Sequence, residues 1–211
     1  MKKSAPKSVI RRLPVYLRIL DHLLENDVEI VSSREISDET GFTAEQIRKD
    51  LAFFGAFGTR GTGYNTGFLR DKILKIIGLD QKTNIIVVGA GHLGIALTRY
   101  NITKNPYVNV VAVFDNDPDV IGEKIIDVEV LDISKIKDVS VKYDVKVALL
   151  TVPSEQAQIA AEEVIKSGVT VIFNFALSKL HVPDSVYIHN ADLSIELQSL
   201  IYYATNNKKI I

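Results

Sequence analysis

Six residues, Gly89-Ala90-Gly91-His92-Leu93-Gly94, follow the apolar run 85–88 and open a stretch of helical pattern, and this placement constrains the chain more than any other feature. Glycines so spaced between a strand and a helix permit a sharp bend, let the backbone approach a pyrophosphate, and let helix and strand touch. The helix N-terminus adds a positive field. A second apolar run, 108–114, ends at Asp115, 21 residues beyond Gly94. An acid there accepts hydrogen bonds from the adenosine ribose and repels a 2′-phosphate, which favours NAD(H) over NADP(H). Asn116-Asp117-Pro118 follow it, so Asp115 also reads as a turn initiator.

Strand and helix patterns alternate from there onward. The spacing predicts strands over 85–88, 108–114, 144–150, 169–173 and 186–188, with helices over 93–103 and 155–167. Such alternation specifies an α/β fold, a Rossmann-like doubly wound parallel sheet over residues 80–190.

The first 79 residues read differently. Leu13, Leu17, Leu20 and Leu24 form one stripe of a helix over 13–24, with Pro14 in its first turn. Ser33 caps a short second helix ending at Thr40, with Gly41 as its left-handed stop. Thr43-Ala44-Glu45-Gln46 matches a capping box that starts a third helix. On that helix Ile47, Leu51 and Phe54 face inward, leaving Gln46, Arg48, Lys49 and Phe53 on other faces. This is helix-turn-helix patterning, with the third helix entering a major groove. Arg48 and Gln46 are base-reading types and Lys49 a phosphate-holding type, although the same charges also suit a solvated outer face. Gly58-Thr59-Arg60-Gly61-Thr62-Gly63-Tyr64 then reads as a hairpin wing whose arginine suits a narrow minor groove. A further helix over 68–77 is stopped by Gly78.

Charge supports the division. Residues 1–79 carry 13 Lys and Arg against 10 Asp and Glu, and the remainder 12 against 16. Lys2, Lys3, Lys7, Arg11, Arg12 and Arg18 precede any acid, a basic arm suited to a phosphate backbone or simply to water. There is no cysteine, so disulfides, thiolate nucleophiles and cysteine-held metals are excluded. His22, His92, His181 and His189 lack metal-ligand spacing, and no metal is expected. No apolar stretch approaches the ~18 residues needed to span a bilayer, and no apolar segment follows the N-terminal lysines as in a secretory signal, so a cytoplasmic location is expected. Tyr100 and Lys104 form a Tyr-x-x-x-Lys on the helix after the glycine turn, too early to serve as a dehydrogenase acid pair, and no segment is long enough for a substrate domain. An enzyme is not expected.

Taken together, Arg12-Leu13-Pro14-Val15-Tyr16-Leu17-Arg18, Gln46-Ile47-Arg48-Lys49-Asp50-Leu51 with Phe54-Gly55, the wing, the glycine turn, Leu149-Leu150-Thr151-Val152-Pro153, Asn174-Phe175-Ala176 and Asp192-Leu193 resemble the Rex family of redox-sensing transcriptional repressors from end to end. The resemblance implies a homodimer that binds palindromic operator DNA and is released by NADH rather than NAD⁺. It implies a winged helix-turn-helix domain over 1–79, a Rossmann NAD(H)-binding domain over 80–190, and a C-terminal helix exchanged between protomers over 191–211. Leu193, Leu197, Leu200, Ile201 and Ala204 supply an apolar stripe for that exchange. It implies cofactor contacts at Gly89, Ala90, Gly91, His92, Leu93, Gly94, Asp115, Thr151, Val152, Pro153, Asn174 and Phe175. DNA contacts fall at Gln46, Arg48, Lys49, Arg60, Gly61 and Tyr64. Arg18, Tyr100 and Asp192 become a set whose pairing depends on the cofactor's redox state.

Overall fold

A computed structural model describes residues 5–59 and 61–206. The chain divides into two compact units, Met1–Gln81 and Lys82–Ile211.

The first unit runs α1 (Lys7–Glu25), β1 (Ile30–Val31), α2 (Ser33–Thr40), α3 (Ala44–Phe54), β2 (Gly58–Thr59), β3 (Gly63–Asn65) and α4 (Thr66–Ile77). Helix α1 starts six residues before the expected Leu13, so Pro14 lies in its interior and not its first turn. Val9, Leu13, Tyr16, Leu17 and Leu20 are all buried along one stripe. Their burial, worth ~1.5–3 kcal/mol for each large apolar side chain, outweighs the ~3 kcal/mol that an interior proline costs. The same core takes Val31, Ile36, Ile47, Leu51, Leu69 and Ile73.

Caps depart from expectation by one residue and by one partner. Ser32, not Ser33, caps α2, in a full capping box with Glu35. Thr43 accepts the Gln46 N–H at the start of α3 as expected, but the Gln46 amide does not complete a box, because it reaches Asp50 instead. Gly41 and Gly78 end their helices in the left-handed conformation. The expected hairpin forms between β2 and β3, and β1, unforeseen, pairs with β3 to make a three-stranded sheet.

The second unit runs β4 (Thr83–Val88), α5 (His92–Lys104), β5 (Val108–Asp115), β6 (Lys124–Ile125), β7 (Val128–Asp132), a 3₁₀ turn (Ile133–Lys135), α6 (Ile136–Lys142), β8 (Val147–Leu150), α7 (Ser154–Lys166), β9 (Val171–Asn174), β10 (Tyr187–Asn190) and α8 (Leu193–Asn206). Sheet order is β10-β9-β8-β4-β5-β7-β6, parallel except for β6 against β7. Side chains alternate across β4: Ile86 and Val88 join Ala148, Leu150, Ile172 and the α7 alanines on one face, and Ile85 and Val87 join Val110, Val113 and Leu149 on the other. The β6-β7 hairpin and α6 were not anticipated. The strand expected from 144 begins only at Val147, since Asp144 takes a left-handed φ of 49° at the end of the α6 turn. Because β5 lies on one side of β4 and β8 on the other, the winding direction reverses at the carboxyl ends of β4 and β8, which opens a crevice there.

Candidate functional site

The crevice measures about 550 Å³. The glycine turn leaves β4 through Gly89, with φ +104°, and enters α5 at His92. Thr151, at the end of β8, bonds back to it: its backbone N–H donates to the Val88 carbonyl at 2.8 Å, and its hydroxyl lies 3.0 and 2.9 Å from the carbonyls of Val88 and Gly89. A Cβ on Gly94 would meet the Gly89 carbonyl oxygen at 1.9 Å, so only glycine lets α5 sit this close to the turn. A Cβ on Gly91 would meet no protein atom within 4 Å. Its glycine therefore serves nothing within the folded protein, and the open space beside it suits the pyrophosphate of a dinucleotide.

Gly89, Gly91, Leu93, Asp115, Thr151, Val152, Pro153 and Phe175 line this crevice. Four other expected cofactor contacts do not. Ala90 is buried, and its N–H donates to Asp115 Oδ2 at 2.6 Å. Gly94 is buried in the first turn of α5, and His92 begins that helix exposed. Asn174 is fully buried: its amide nitrogen donates to Asn190 Oδ1 and the Ser178 carbonyl, and its oxygen accepts from the Ala176 N–H. It ties β9, β10 and the following loop together, with both amide hydrogens committed inside the protein.

Asp115 is both turn initiator and loop anchor. Besides Ala90, its Oδ1 accepts the N–H groups of Asn116 at 2.8 Å and Asp117 at 3.0 Å. A carboxylate offers about four lone-pair sites, so with three in use it has room for one further donor, such as a ribose hydroxyl. Asn116, Asp117, Ile133, Gln156, Ile159 and Glu163 also belong to the lining and were not foreseen. Ile133 follows the unanticipated β7, and Gln156, Ile159 and Glu163 lie along one face of α7, a signal that its amphipathic pattern carried.

In the first unit a second cleft, about 640 Å³, opens between α3 and the wing, lined by Ser32, Ser33, Arg48, Gly61 and Tyr64 among others. Arg48 Nη1 donates to Ser33 Oγ at 2.8 Å. Lys49 is exposed and pairs with Glu45 at 2.6 Å along the same helix. Gly61 is exposed in the wing turn with φ +88°, and burial pushes the Tyr64 phenol above its ordinary pKa. Arg60 lies outside the described residues.

Gln46 and Arg12 are placed differently from expectation. Asp50, 1% exposed, receives four hydrogen bonds. Arg12 donates through Nε (2.6 Å) and Nη2 (2.8 Å), Tyr16 through its hydroxyl (2.7 Å), and Gln46 through Nε2 (2.8 Å). Burial by itself pushes the Asp50 carboxyl up, but the bonds from Arg12, Tyr16 and Gln46 outweigh it and hold the group below the usual carboxylate value. Arg12 thus belongs to a buried fork and not to the basic arm.

Among the redox-set residues, Arg18 is exposed on α1 and Tyr100 is exposed on α5. Asp192 caps α8, accepting the N–H groups of Ser194 and Ile195 at Oδ1. No hydrogen bond joins Tyr100 to Asp192 among the described residues. Helix α8 buries no residue: Leu193, Leu197, Leu200, Ile201, Tyr202 and Tyr203 are 50–64% exposed.

Among the described residues no helix is long and apolar enough to cross a membrane, and no group of three or more His, Asp or Glu is placed to hold a metal. A winged helix-turn-helix and a switch-point dinucleotide crevice on one chain define a ligand-responsive DNA-binding regulator. Comparison with known proteins agrees. Residues 4–52 match the family described as putative DNA-binding protein N-terminus, and residues 80–178 the family described as CoA binding domain. The redox-sensing transcriptional repressor Rex of Natranaerobius thermophilus is 57% identical over 95% of this chain and 92% of its own length. That of Clostridium beijerinckii is 42% identical over 95% of each. The crystal structure of RSP, a Rex-family repressor, with β-NAD⁺ and operator DNA superposes with a TM-score of 0.90 at 41% identity, covering 97% of this chain and 94% of that one. RSP with β-NADH gives 0.84 at 39%, covering 97% and 96%. This chain belongs to the Rex family, whose members are redox-sensing transcriptional repressors and not enzymes.

Proposed function

We propose that this chain binds palindromic operator DNA as a homodimer, through α3 and the wing of each protomer, and that NADH in the switch-point crevice releases it where NAD⁺ does not. One observation carries the reading: the space beside Gly91, bounded by the turn and by Asp115, is shaped for a dinucleotide on the same chain as a groove-reading helix. RSP, a relative of known structure, has been seen with NAD⁺ and operator DNA together and with NADH, which supports the assignment.

Gly89, Gly91 and Leu93 would hold the pyrophosphate and Asp115 a ribose hydroxyl, while Thr151, Val152, Pro153 and Phe175 would flank the nicotinamide. The cofactor supplies a ring that is cationic when oxidised and neutral when reduced. A ligand shifts an equilibrium only through differential affinity for its states. The ring charge is that difference if it sits where two subunits meet. Helix α8, apolar along one side and with no buried residue among the described residues, is proposed to pack into the partner subunit. Asp192 at its start would then exchange between Tyr100 and Arg18 as the subunits rearrange. Operator half-sites have fixed spacing, so a dimer whose two α3 helices change separation loses the site. Cytoplasmic action without metal or membrane follows from this role.

A mobility-shift titration on a palindromic operator tests the proposal. Release by NADH is expected at concentrations where NAD⁺ has no effect, and equal effects of the two forms would defeat it.

A further inference from the structure

The Asp50 cluster offers a device for base selection that rests on the DNA-binding reading above. Its chemistry leaves little freedom. An ionised carboxylate only accepts hydrogen bonds, so the Gln46 amide must turn its nitrogen toward Asp50. The Gln46 side-chain oxygen then accepts no hydrogen bond among the described residues, and the residue is half-buried in the first turn of α3. A lone glutamine rotates its amide freely and presents either end to a groove. This one is held by a carboxylate that is itself held by the Arg12 fork and the Tyr16 hydroxyl from α1, with Phe42 stacked beneath: Tyr16 meets its ring edge-on at 6.0 Å and the Arg12 guanidinium lies 5.8 Å from its centre.

We propose that Asp50 is the positioning residue of the DNA reader, fixing the Gln46 amide with its nitrogen inward so that the carbonyl oxygen selects an exocyclic amino group on a base edge. In the major groove adenine presents N6–H₂ and cytosine N4–H₂, whereas guanine O6 and N7 and thymine O4 are acceptors. Adenine adds a second bond, because the remaining Gln46 N–H reaches N7. The half-site therefore carries adenine, or failing that cytosine, at the position Gln46 faces. Guanine or thymine there offers only acceptors, which take the remaining N–H at most and leave the Gln46 oxygen unpaired, so neither engages both ends of the amide.

The test is selection from palindromic duplexes randomised within the half-site, using the full-length protein with NAD⁺, for wild type, Gln46→Ala and Tyr16→Phe. Wild type is expected to prefer adenine or cytosine at one position. Gln46→Ala is expected to level that preference and leave the others. Tyr16→Phe, which removes one hydroxyl from the clamp, is expected to weaken the same preference about threefold to tenfold, the worth of a single hydrogen bond, with NADH affinity by calorimetry unchanged. Replacing that adenine by unsubstituted purine, which lacks the 6-amino group, is expected to cost wild type the same factor and Gln46→Ala nothing.

Identical base preferences in wild type and Gln46→Ala would overturn the proposal. So would a Tyr16→Phe protein that melts earlier yet selects the same bases, since the cluster would then only hold the fold. If Tyr16→Phe does not fold, Gln46→Ala and the purine duplex decide the matter. Wild type selecting no sequence at all would refute the regulator reading itself, a result separate from any difference among variants.

Discussion

Replacing Gly91 by alanine separates what the fold needs from what the ligand needs. Gly91 sits at φ −69° and ψ −177°, extended backbone that alanine adopts readily, and the added methyl meets no protein atom within 4 Å. Substitution at such a site stiffens the unfolded chain by ~0.4–1 kcal/mol, which offsets the similar preference of the α5 N-cap for glycine over alanine, so the melting temperature should hold within about 4 °C for a unit of this size. With dinucleotide bound, the methyl enters space meant for the pyrophosphate. Overfilling a packed site costs ~1–3 kcal/mol, so NADH and NAD⁺ affinities should fall about 5- to 150-fold. Thermal unfolding of the free protein and calorimetric titration with each cofactor form measure both numbers. The expected result is a split, a protein as stable as before that binds less. Unchanged cofactor affinity in a protein of unchanged stability would refute the assignment of that space to the pyrophosphate. Gly94→Ala serves as contrast, since its methyl would lie 1.9 Å from the Gly89 oxygen and should lower stability and affinity together.

Further expectations concern the first unit and α8. Arg48→Ala removes a side chain whose hydrogen bond is to the Ser33 hydroxyl, so stability should hold while operator affinity falls by ~1–3 kcal/mol in a mobility-shift assay. Lys49→Ala should weaken binding evenly across sequences and lower the slope of log affinity against log salt by about 1, measured by fluorescence anisotropy. Burial, with the bond to Asp50, raises the Tyr16 phenol above its ordinary pKa of 10, so folded Tyr16 keeps a proton that the unfolded chain releases. That contribution is intact below pH 10 and is lost as pH climbs through the folded value. Between pH 10 and 12 wild type should therefore lose more unfolding free energy than Tyr16→Phe, as denaturant titrations would show. Leu197→Asp should shift the protein from dimer toward monomer in sedimentation, with a dissociation constant raised about 100-fold or more, because the side chain would be buried twice in a symmetric exchange.

Those features written as local patterns were legible in the sequence. Strands β4, β5 and β8 are buried on both faces and so read as near-continuous apolar runs, and the glycine turn announced the strand-to-helix junction between them. Helices α2, α3 and α4 carried their own stops in Gly41 and Gly78 or their own cap in Thr43. Strands β1 and β6, two residues each, are too short to show any period, and only pairing with β3 and β7 defines them. The start of α1 escaped because Pro14 resembles a first-turn residue, whereas tertiary burial of Val9 and Leu13 carries the helix through it. Long-range polar contacts were least legible. Arg12 and Asp50 are 38 residues apart, and each alone looks like a solvated charge. Asn174 read as a ligand contact only through the family resemblance, yet its side chain is buried and its amide joins two strands.

The central claim is a coupling between the crevice and the groove-reading helices, and coupling between two binding equilibria is reciprocal. NADH affinity measured with and without saturating operator DNA tests it most directly. NADH should bind more weakly in the presence of DNA, by the same factor through which NADH weakens operator binding, while NAD⁺ affinity stays equal or tightens. NADH affinity that is the same with and without operator would contradict the account.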